Sequence, residues 1–354
     1  MLYQTENQHG GDVYGGGITL DFSANTNPLG TPPGVLEAVC RALPRLHRYP
    51  DPYCRRLVQA IAGHEQVPAS YILCGNGAAD LIYTYCAALR PRTAVELAPT
   101  FVEYGAGLAQ VGCRVERYFL HQAQNFDLDE RFLSFLEEKK PEVVFLCNPN
   151  NPTGRLLPLP LLEQILQYCA AQGARLFLDE CFLDLTEDGV SAKSLLAAHP
   201  ELLILKAFTK SYGMAGIRLG YCLCADNALL HRMAAASPPW NVSSPAQSAG
   251  VAALAERDFL QRTLSLVRTE RRWLTDNLTA LGFWVCPSHA NYLLFRGPLG
   301  LREGLLQQGI AIRGCGNYNG LGDGWYRIAV RPHGENEALI TAIRQFCKEK
   351  ALWQ

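Results

Sequence analysis

The sequence predicts an α/β fold, with a large domain on a mostly parallel sheet plus a smaller α+β domain. Three observations carry that prediction. Apolar runs of strand length alternate with helix-like segments through the middle of the chain. Polar residues gather where those runs end, and the last third changes to a long stretch of helix formers followed by short strand-like runs.

The strands come in order as Tyr71 to Cys74, Thr93 to Leu97, Glu142 to Cys147, Arg175 to Leu178, Leu202 to Leu205 and Leu219 to Cys224. Between them Ala78 to Ala88, Phe101 to Val111 and Leu159 to Gln172 carry helical spacing. Strands this uniformly apolar belong to a parallel sheet covered on both faces. Pro245 to Leu281 reads as one long helix leading into strands Phe283 to Cys286, Tyr292 to Phe295 and Tyr326 to Val330. Ser237-Pro238-Pro239 marks a seam, because proline stops a helix. Residues 46–236 are therefore expected to form the large domain, and residues 1–45 with 237–354 the small domain and an N-terminal leader.

Composition bounds the function. The chain has 354 residues, 48% hydrophobic and 18% charged, an ordinary globular protein with room for a cleft between domains. Lys plus Arg number 32 against 33 Asp plus Glu, so no strong overall field draws nucleic acid or an anionic membrane. Thirteen cysteines, an odd number scattered through apolar runs, read as reduced core residues in a cytoplasmic protein. Cys222 and Cys224 are the only close pair and lack the second ligand pair of a zinc site, so no metal is expected. Met1 to Gly17 is polar and glycine-rich, unlike a secretory signal, and no run approaches the roughly 18 apolar residues of a membrane span.

Chemistry concentrates in four segments. Thr209-Lys210-Ser211-Tyr212-Gly213 follows a buried strand and sets one lysine among small and apolar neighbours. By itself this is a surface lysine after a strand; desolvated, it is an amine nucleophile with a depressed pKa, suited to Schiff-base chemistry. Asn148-Pro149-Asn150-Asn151 ends one strand and Phe177-Leu178-Asp179-Glu180 the next, placing polar groups at the sheet edge where α/β proteins bind ligands. Such an Asp pairs with a protonated pyridine nitrogen, and such an amide donates to a phenolate. Gly75-Asn76-Gly77-Ala78 opens a helix whose free N–H groups suit a phosphate, although a lone Gly-Asn-Gly is more often only a turn.

In order and spacing, over nearly the whole chain, these segments resemble the fold type I pyridoxal-phosphate enzymes of the aspartate aminotransferase superfamily. The resemblance implies pyridoxal 5'-phosphate as cofactor. Lys210 would bind its aldehyde, Asp179 its ring nitrogen and Asn151 its phenolic oxygen, with Phe101 stacked on the ring. Thr209, Arg218 and the Asn76-Gly77-Ala78 turn would hold its phosphate, and Tyr49 would reach that phosphate from the partner subunit of a homodimer. Ala207 departs from relatives that carry Ser or Thr three positions before the lysine, which removes one phosphate hydroxyl.

Tyr49-Pro50-Asp51, the Asn-Pro-Asn-Asn-Pro-Thr-Gly run from Asn148 and Arg327-Ile328-Ala329-Val330 resemble the histidinol-phosphate aminotransferase branch of that superfamily. His9-Gly10-Gly11, Asp21 to Gly30, Ala290 to Leu294, Arg313 and Asn317-Tyr318 look like the threonine-phosphate decarboxylases of cobalamin biosynthesis within it. Phe182 agrees, because aminotransferases of this branch usually carry there a Tyr that bonds the phenolic oxygen. The resemblance implies decarboxylation of L-threonine O-3-phosphate, or a close phosphoamino acid such as serine phosphate, to aminopropanol phosphate; histidinol-phosphate aminotransferase is the alternative. It assigns Arg327 to the substrate carboxylate and Arg313, His9 and Asn25 to its phosphate, beside Asn151, since guanidinium groups grip such oxyanions in paired hydrogen bonds. Which arginine takes which anion stays open. Each marker also has a plainer meaning: a solvated leader histidine, two surface arginines, a core phenylalanine, an ordinary glycine-rich loop from Gly314 to Gly324. A third reading, a cofactor-binding regulator on an aminotransferase body, is disfavoured because no additional DNA-binding domain is evident and the charge is near neutral.

Overall fold

The computed structural model describes residues 9–350; the first part of the expected leader, residues 1–8, lies outside the described residues. The strands in chain order are β1 (Leu20–Asp21), β2 (Ile72–Gly75), β3 (Thr93–Ala98), β4 (Arg114–Phe119), β5 (Val143–Cys147), β6 (Arg175–Asp179), β7 (Leu202–Ala207), β8 (Gly220–Cys224), β9 (Trp284–Val285), β10 (Tyr292–Arg296), β11 (Ile310–Ala311), β12 (Arg313–Gly314) and β13 (Trp325–Ala329). The main sheet has the order β2-β8-β7-β6-β5-β3-β4. Strand β8 runs against both neighbours and the others share one direction, so all but β8 end at the same edge, where the polar segments begin. Strands β5, β7 and β8 are buried at every residue, as a sheet covered on both faces requires. Leu57, Val144, Ile165 and Leu176 fill one side, and Tyr85, Phe145 and Phe177 the other.

Besides short elements the sequence expectation omits, such as β1, β11 and the helices Pro33–Ala42 and Arg55–Glu65, two larger features differ from it. Strand β4 has no counterpart among the expected strands: Arg-Val-Glu-Arg-Tyr-Phe occupies the sheet edge, partly exposed, and therefore lacks the apolar run that marks its inner neighbours. The segment from Pro245 to Leu281 is two helices, Ser244–Leu254 and Phe259–Ala280, rather than one. The first packs on helix Pro33–Ala42 and the second on β9 and β10, so the chain changes direction between two different partners. Helix Asn227–Ala236 stops at Ser237, immediately before the two prolines.

The second sheet, β12-β13-β10-β9, is antiparallel and closes over Leu274, Phe295, Ile328, Leu339 and Phe346. Strand β1 pairs in parallel with β11, which stitches the N-terminal segment to this body. The cysteines are buried, with the exception of Cys40 and Cys113. Among the described residues no helix is long and apolar enough to cross a membrane.

Candidate active site

At the carboxyl edge of the main sheet a cavity of about 360 Å³ is lined by His9, Asn25, Ala78, Phe101, Asn151, Asp179, Thr209, Lys210, Arg218, Arg313 and Arg327, together with Phe182, Ala207 and Tyr318. The elements explain the convergence. Strands β5, β6 and β7 deliver Asn151, Asp179 and Lys210 from successive carboxyl ends, while Arg218 precedes the antiparallel β8 and so starts from the same edge.

Lys210 lies in the single helical turn Phe208–Ser211, its Nζ 5.4 Å from the centre of the Phe182 ring. Burial pushes its amine down to about 8, with the Arg327 and Arg218 charges adding to the shift and Asp179 opposing it. Asp179 is buried, and burial raises its carboxyl above the ordinary range even though hydrogen bonds from Cys181 and Tyr104 and the Lys210 charge pull the other way. Its two oxygens are separately held: Oδ1 accepts the Cys181 N–H at 2.9 Å and Oδ2 the Tyr104 hydroxyl at 2.6 Å.

The cradle at the start of helix Ala78–Leu89 is shaped by close approach. Gly77 has φ +86°, and a Cβ there would stand 2.6 Å from Arg218 Nη2. A Cβ on Gly220 would meet the Ala78 nitrogen at 2.7 Å, so β8 comes this near the turn only without a side chain. Of the turn expected at the cofactor phosphate, Ala78 lines the cavity and Gly77 lies against Arg218, which lines it too, while Asn76 is not among the lining residues; Tyr49, expected from a partner subunit, is not among the lining residues of its own chain's cavity. Asn76 gives its N–H to Asp80 Oδ2 at 2.9 Å, and Gly77 gives its own to Gly75 O at 2.8 Å, which commits two of the three N–H groups expected to face a phosphate. Tyr49 is largely exposed and stacked on Trp240 at 4.5 Å.

The anion-binding candidates come from the second sheet. Arg313 and Arg327 are directly opposed on β12 and β13, and opposed residues of an antiparallel pair project to one face. Both are buried. Arg327 Nη1 donates to Asn151 Oδ1 and Nη2 to Ser23 O at 3.0 Å, while its Nε has no partner among the described residues. Arg313 donates to Asn317 Oδ1 at 2.8 Å. Asn25 is buried, and neither of its side-chain polar atoms is bonded among the described residues, a costly arrangement unless a ligand meets it. His9 Nε2 pairs with Glu103 Oε1 at 2.8 Å, and Gly11 N–H bonds Ser23 Oγ at 2.7 Å, drawing the leader over the cavity mouth.

Sequence reasoning misses Tyr104 and Glu103, which hold Asp179 and His9 from the helix Glu103–Gln110. Their only signal is position, shortly after the end of β3, and their roles depend on partners distant in the chain.

The chain belongs to the aminotransferase class I and II family, whose profile matches residues 18–346. Within that family it is 41% identical over 331 residues to the threonine-phosphate decarboxylase of Salmonella typhimurium, covering 92% of this chain and 90% of that protein. The L-threonine-O-3-phosphate decarboxylase structure from Porphyromonas gingivalis superimposes with TM-score 0.82 at 26% identity, covering 93% of this chain and 99% of that one. The histidinol-phosphate aminotransferase from Clostridium acetobutylicum gives TM-score 0.87 at 28% identity, with coverage of 93% and 99%.

The donor set fits pyridoxal phosphate. A depressed amine suits an aldehyde, a buried carboxylate whose two oxygens are held by the Cys181 N–H and the Tyr104 hydroxyl, donors that favour its ionised form, suits a ring nitrogen that carries a proton, and Arg218 beside a helix start that only glycine fits suits a phosphate. Because Arg327 occupies Asn151 Oδ1, the amide keeps Nδ2 as its remaining donor, the group a phenolic oxygen requires.

Proposed function

We propose that this protein decarboxylates L-threonine O-3-phosphate to aminopropanol phosphate with pyridoxal phosphate as cofactor, a step of cobalamin biosynthesis. The observation that carries the reading is the buried Arg313–Arg327 pair facing the same cavity as Lys210, a double cation suited to a substrate with two anionic groups. The 41% identity to a threonine-phosphate decarboxylase supports the same substrate.

Bound pyridoxal phosphate supplies an electron sink for the pair left when carbon dioxide departs. Lys210 holds the cofactor between turnovers and then carries the proton returned to the α carbon. Asp179, fixed by Tyr104 and the Cys181 N–H, keeps a proton on the ring nitrogen inside a dry wall where that charge partner counts most. Asn151 would donate from Nδ2 to the phenolic oxygen, and Phe101, which lines the cavity, would stack on the ring. Thr209, Arg218 and the Gly77-Ala78 turn take the cofactor phosphate, with the Asn76 and Gly77 N–H groups otherwise engaged. Arg327 takes the substrate carboxylate, and Arg313, His9 and Asn25 take its phosphate. Holding both anions would fix how the substrate stands in the cavity, and that orientation would select loss of the carboxylate over removal of the α hydrogen. Phe182 presents no hydroxyl to the phenolic oxygen.

Residues 46–236 form the large cofactor-binding domain, and 1–45 with 237–354 the small domain with the N-terminal leader. A cytoplasmic homodimer completes the site: Leu36, Leu43, Leu46, Tyr49, Tyr53 and Trp240 leave large apolar surface exposed, and a partner's Tyr49 reaches the phosphate. The test is turnover of threonine phosphate without a keto acid. Steady carbon dioxide release supports the reading; no release, with glutamate-dependent turnover of histidinol phosphate, replaces it with the aminotransferase.

A further inference from the structure

One stretch of chain touches both ends of the site. Ser23 O accepts from Arg327, and Asn25 lines the cavity. Two residues on, Asn27 is buried and donates both Nδ2 protons, to Ser211 O at 2.7 Å and to Thr263 Oγ1 at 2.8 Å, while its Oδ1 accepts the Leu29 N–H at 2.8 Å. Thr31 then donates to Gly213 O at 2.8 Å. Ser211 is the residue after Lys210, and its own hydroxyl donates to Asp184 Oδ2 at 2.9 Å.

A helix of four residues, Phe208–Ser211, does not hold itself in place, because one turn fixes its dihedrals for almost no internal bonding. Where Lys210 stands is therefore set by the groups that grip the turn from outside. Asp184 grips the Ser211 side chain, and Asn27 grips its carbonyl. Of these two, Asn27 lies on the segment that also carries Asn25 to the substrate's anions.

We infer that Asn27 is a positioning residue for Lys210: it fixes the turn that bears the amine and ties that position to the strand of chain reporting on the substrate. The inference rests on Lys210 being the cofactor amine. A purely structural Asn27 would anchor residues 21–31 to helix Phe259–Ala280 through Thr263 and leave Lys210 indifferent.

The test uses holoenzyme of two variants. Asn27→Asp keeps size and the Oδ1 acceptor but replaces both donors with a carboxylate; Thr263→Val keeps shape, adds no charge and removes the hydroxyl that orients the amide, so a shift in it comes from position rather than from a new charge, and it serves if Asn27→Asp does not fold. The readouts are the pH midpoint of the visible absorbance of the Lys210-bound cofactor, and kcat and KM for threonine phosphate. The expected result is a shifted midpoint and kcat lower by about 10-fold in Asn27→Asp, less in Thr263→Val, with KM nearly unchanged, since small misplacements of a reacting group act on the chemical step. An unchanged midpoint and kcat in the folded variant, with only a lower melting temperature, overturns the inference. If wild-type holoenzyme shows the absorbance but leaves threonine phosphate intact, the substrate reading fails while the midpoint still decides the role of Asn27.

Discussion

Tyr104 donates its hydroxyl to Asp179 Oδ2 at 2.6 Å, and both side chains are buried. The tyrosine ring is itself fixed between Phe101, Phe145 and Phe177, so the carboxylate is aimed by an aromatic cluster rather than by a flexible partner. Removing the hydroxyl in Tyr104→Phe leaves one carboxylate oxygen without its donor and raises the Asp179 pKa further, which weakens its hold on a ring proton. Hydrogen bonds to charged groups contribute about 1.5–3 kcal/mol, so kcat is expected to fall about 10-fold or more. Steady-state kinetics check this; KM for substrate stays near wild type, because Tyr104 lies behind Asp179 and outside the cavity lining.

Lys210 sets a pH dependence for cofactor capture. The neutral amine attacks the aldehyde, and burial brings its pKa from 10.5 down to about 8. Capture by apo-protein is therefore expected to rise with pH and level off above about 8, where an ordinary lysine would still be climbing. Below that value the rate falls about 10-fold per pH unit, following the neutral fraction. Stopped-flow absorbance measures the profile. In Lys210→Ala no covalent product forms, so the protein mass after borohydride treatment is that of the polypeptide alone.

Beneath the site, Glu65 is buried beside Lys206 Nζ at 3.3 Å and accepts Lys193 Nζ at 2.9 Å and the Tyr221 hydroxyl. Burial pushes its carboxyl up, but Lys206, Tyr221 and Lys193 outweigh that and hold it at about 2. A folded-state pKa below the ordinary value of 4.5 means the ionised form stabilises the fold at neutral pH, and that contribution is lost as pH falls from about 4.5 through about 2. Glu65→Gln leaves buried Lys206 with Asp184 at 2.9 Å as its close partner. The expected cost at pH 7 is near the lower end of the roughly 3–5 kcal/mol for breaking a buried pair. Urea titrations at pH 7 and pH 3 check it: the gap between variant and wild type narrows at the lower pH.

How much of this is legible in the sequence follows from what each residue depends on. Lys210, Asp179 and Asn151 announce themselves because each follows or ends an apolar strand, and strand order then brings them together at one edge. Arg313 and Arg327 can be named singly, but their direct opposition on β12 and β13 is a register fact that no local pattern encodes. Edge strand β4 is hidden because it is partly exposed and carries charge. The break between Leu254 and Phe259 is hidden because Ala-Glu-Arg-Asp contains no proline or glycine; the change of packing partner, not local propensity, turns the chain there.

The assignment of the two arginines can be separated with two substrates. Arg327 is bound to Asn151 and Ser23, both of which line the cavity, so its position is coupled to the residue proposed for the phenolic oxygen as well as to substrate. Arg313 is held by Gly314 O on its own strand and by Asn317 in the loop that follows. Lysine keeps the charge at either position but not the paired hydrogen bonds of a guanidinium. Arg313→Lys is therefore expected to raise KM for threonine phosphate about 10-fold or more, through the loss of a charged hydrogen bond worth about 1.5–3 kcal/mol, and to change the weak turnover of unphosphorylated threonine little. Arg327→Lys is expected to impair both substrates and to lower kcat, because every amino acid substrate presents the carboxylate and because Asn151 loses the bond that orients it. The opposite pattern exchanges the two roles, and equal losses on both substrates from both variants would mean that the guanidiniums share the anions rather than divide them.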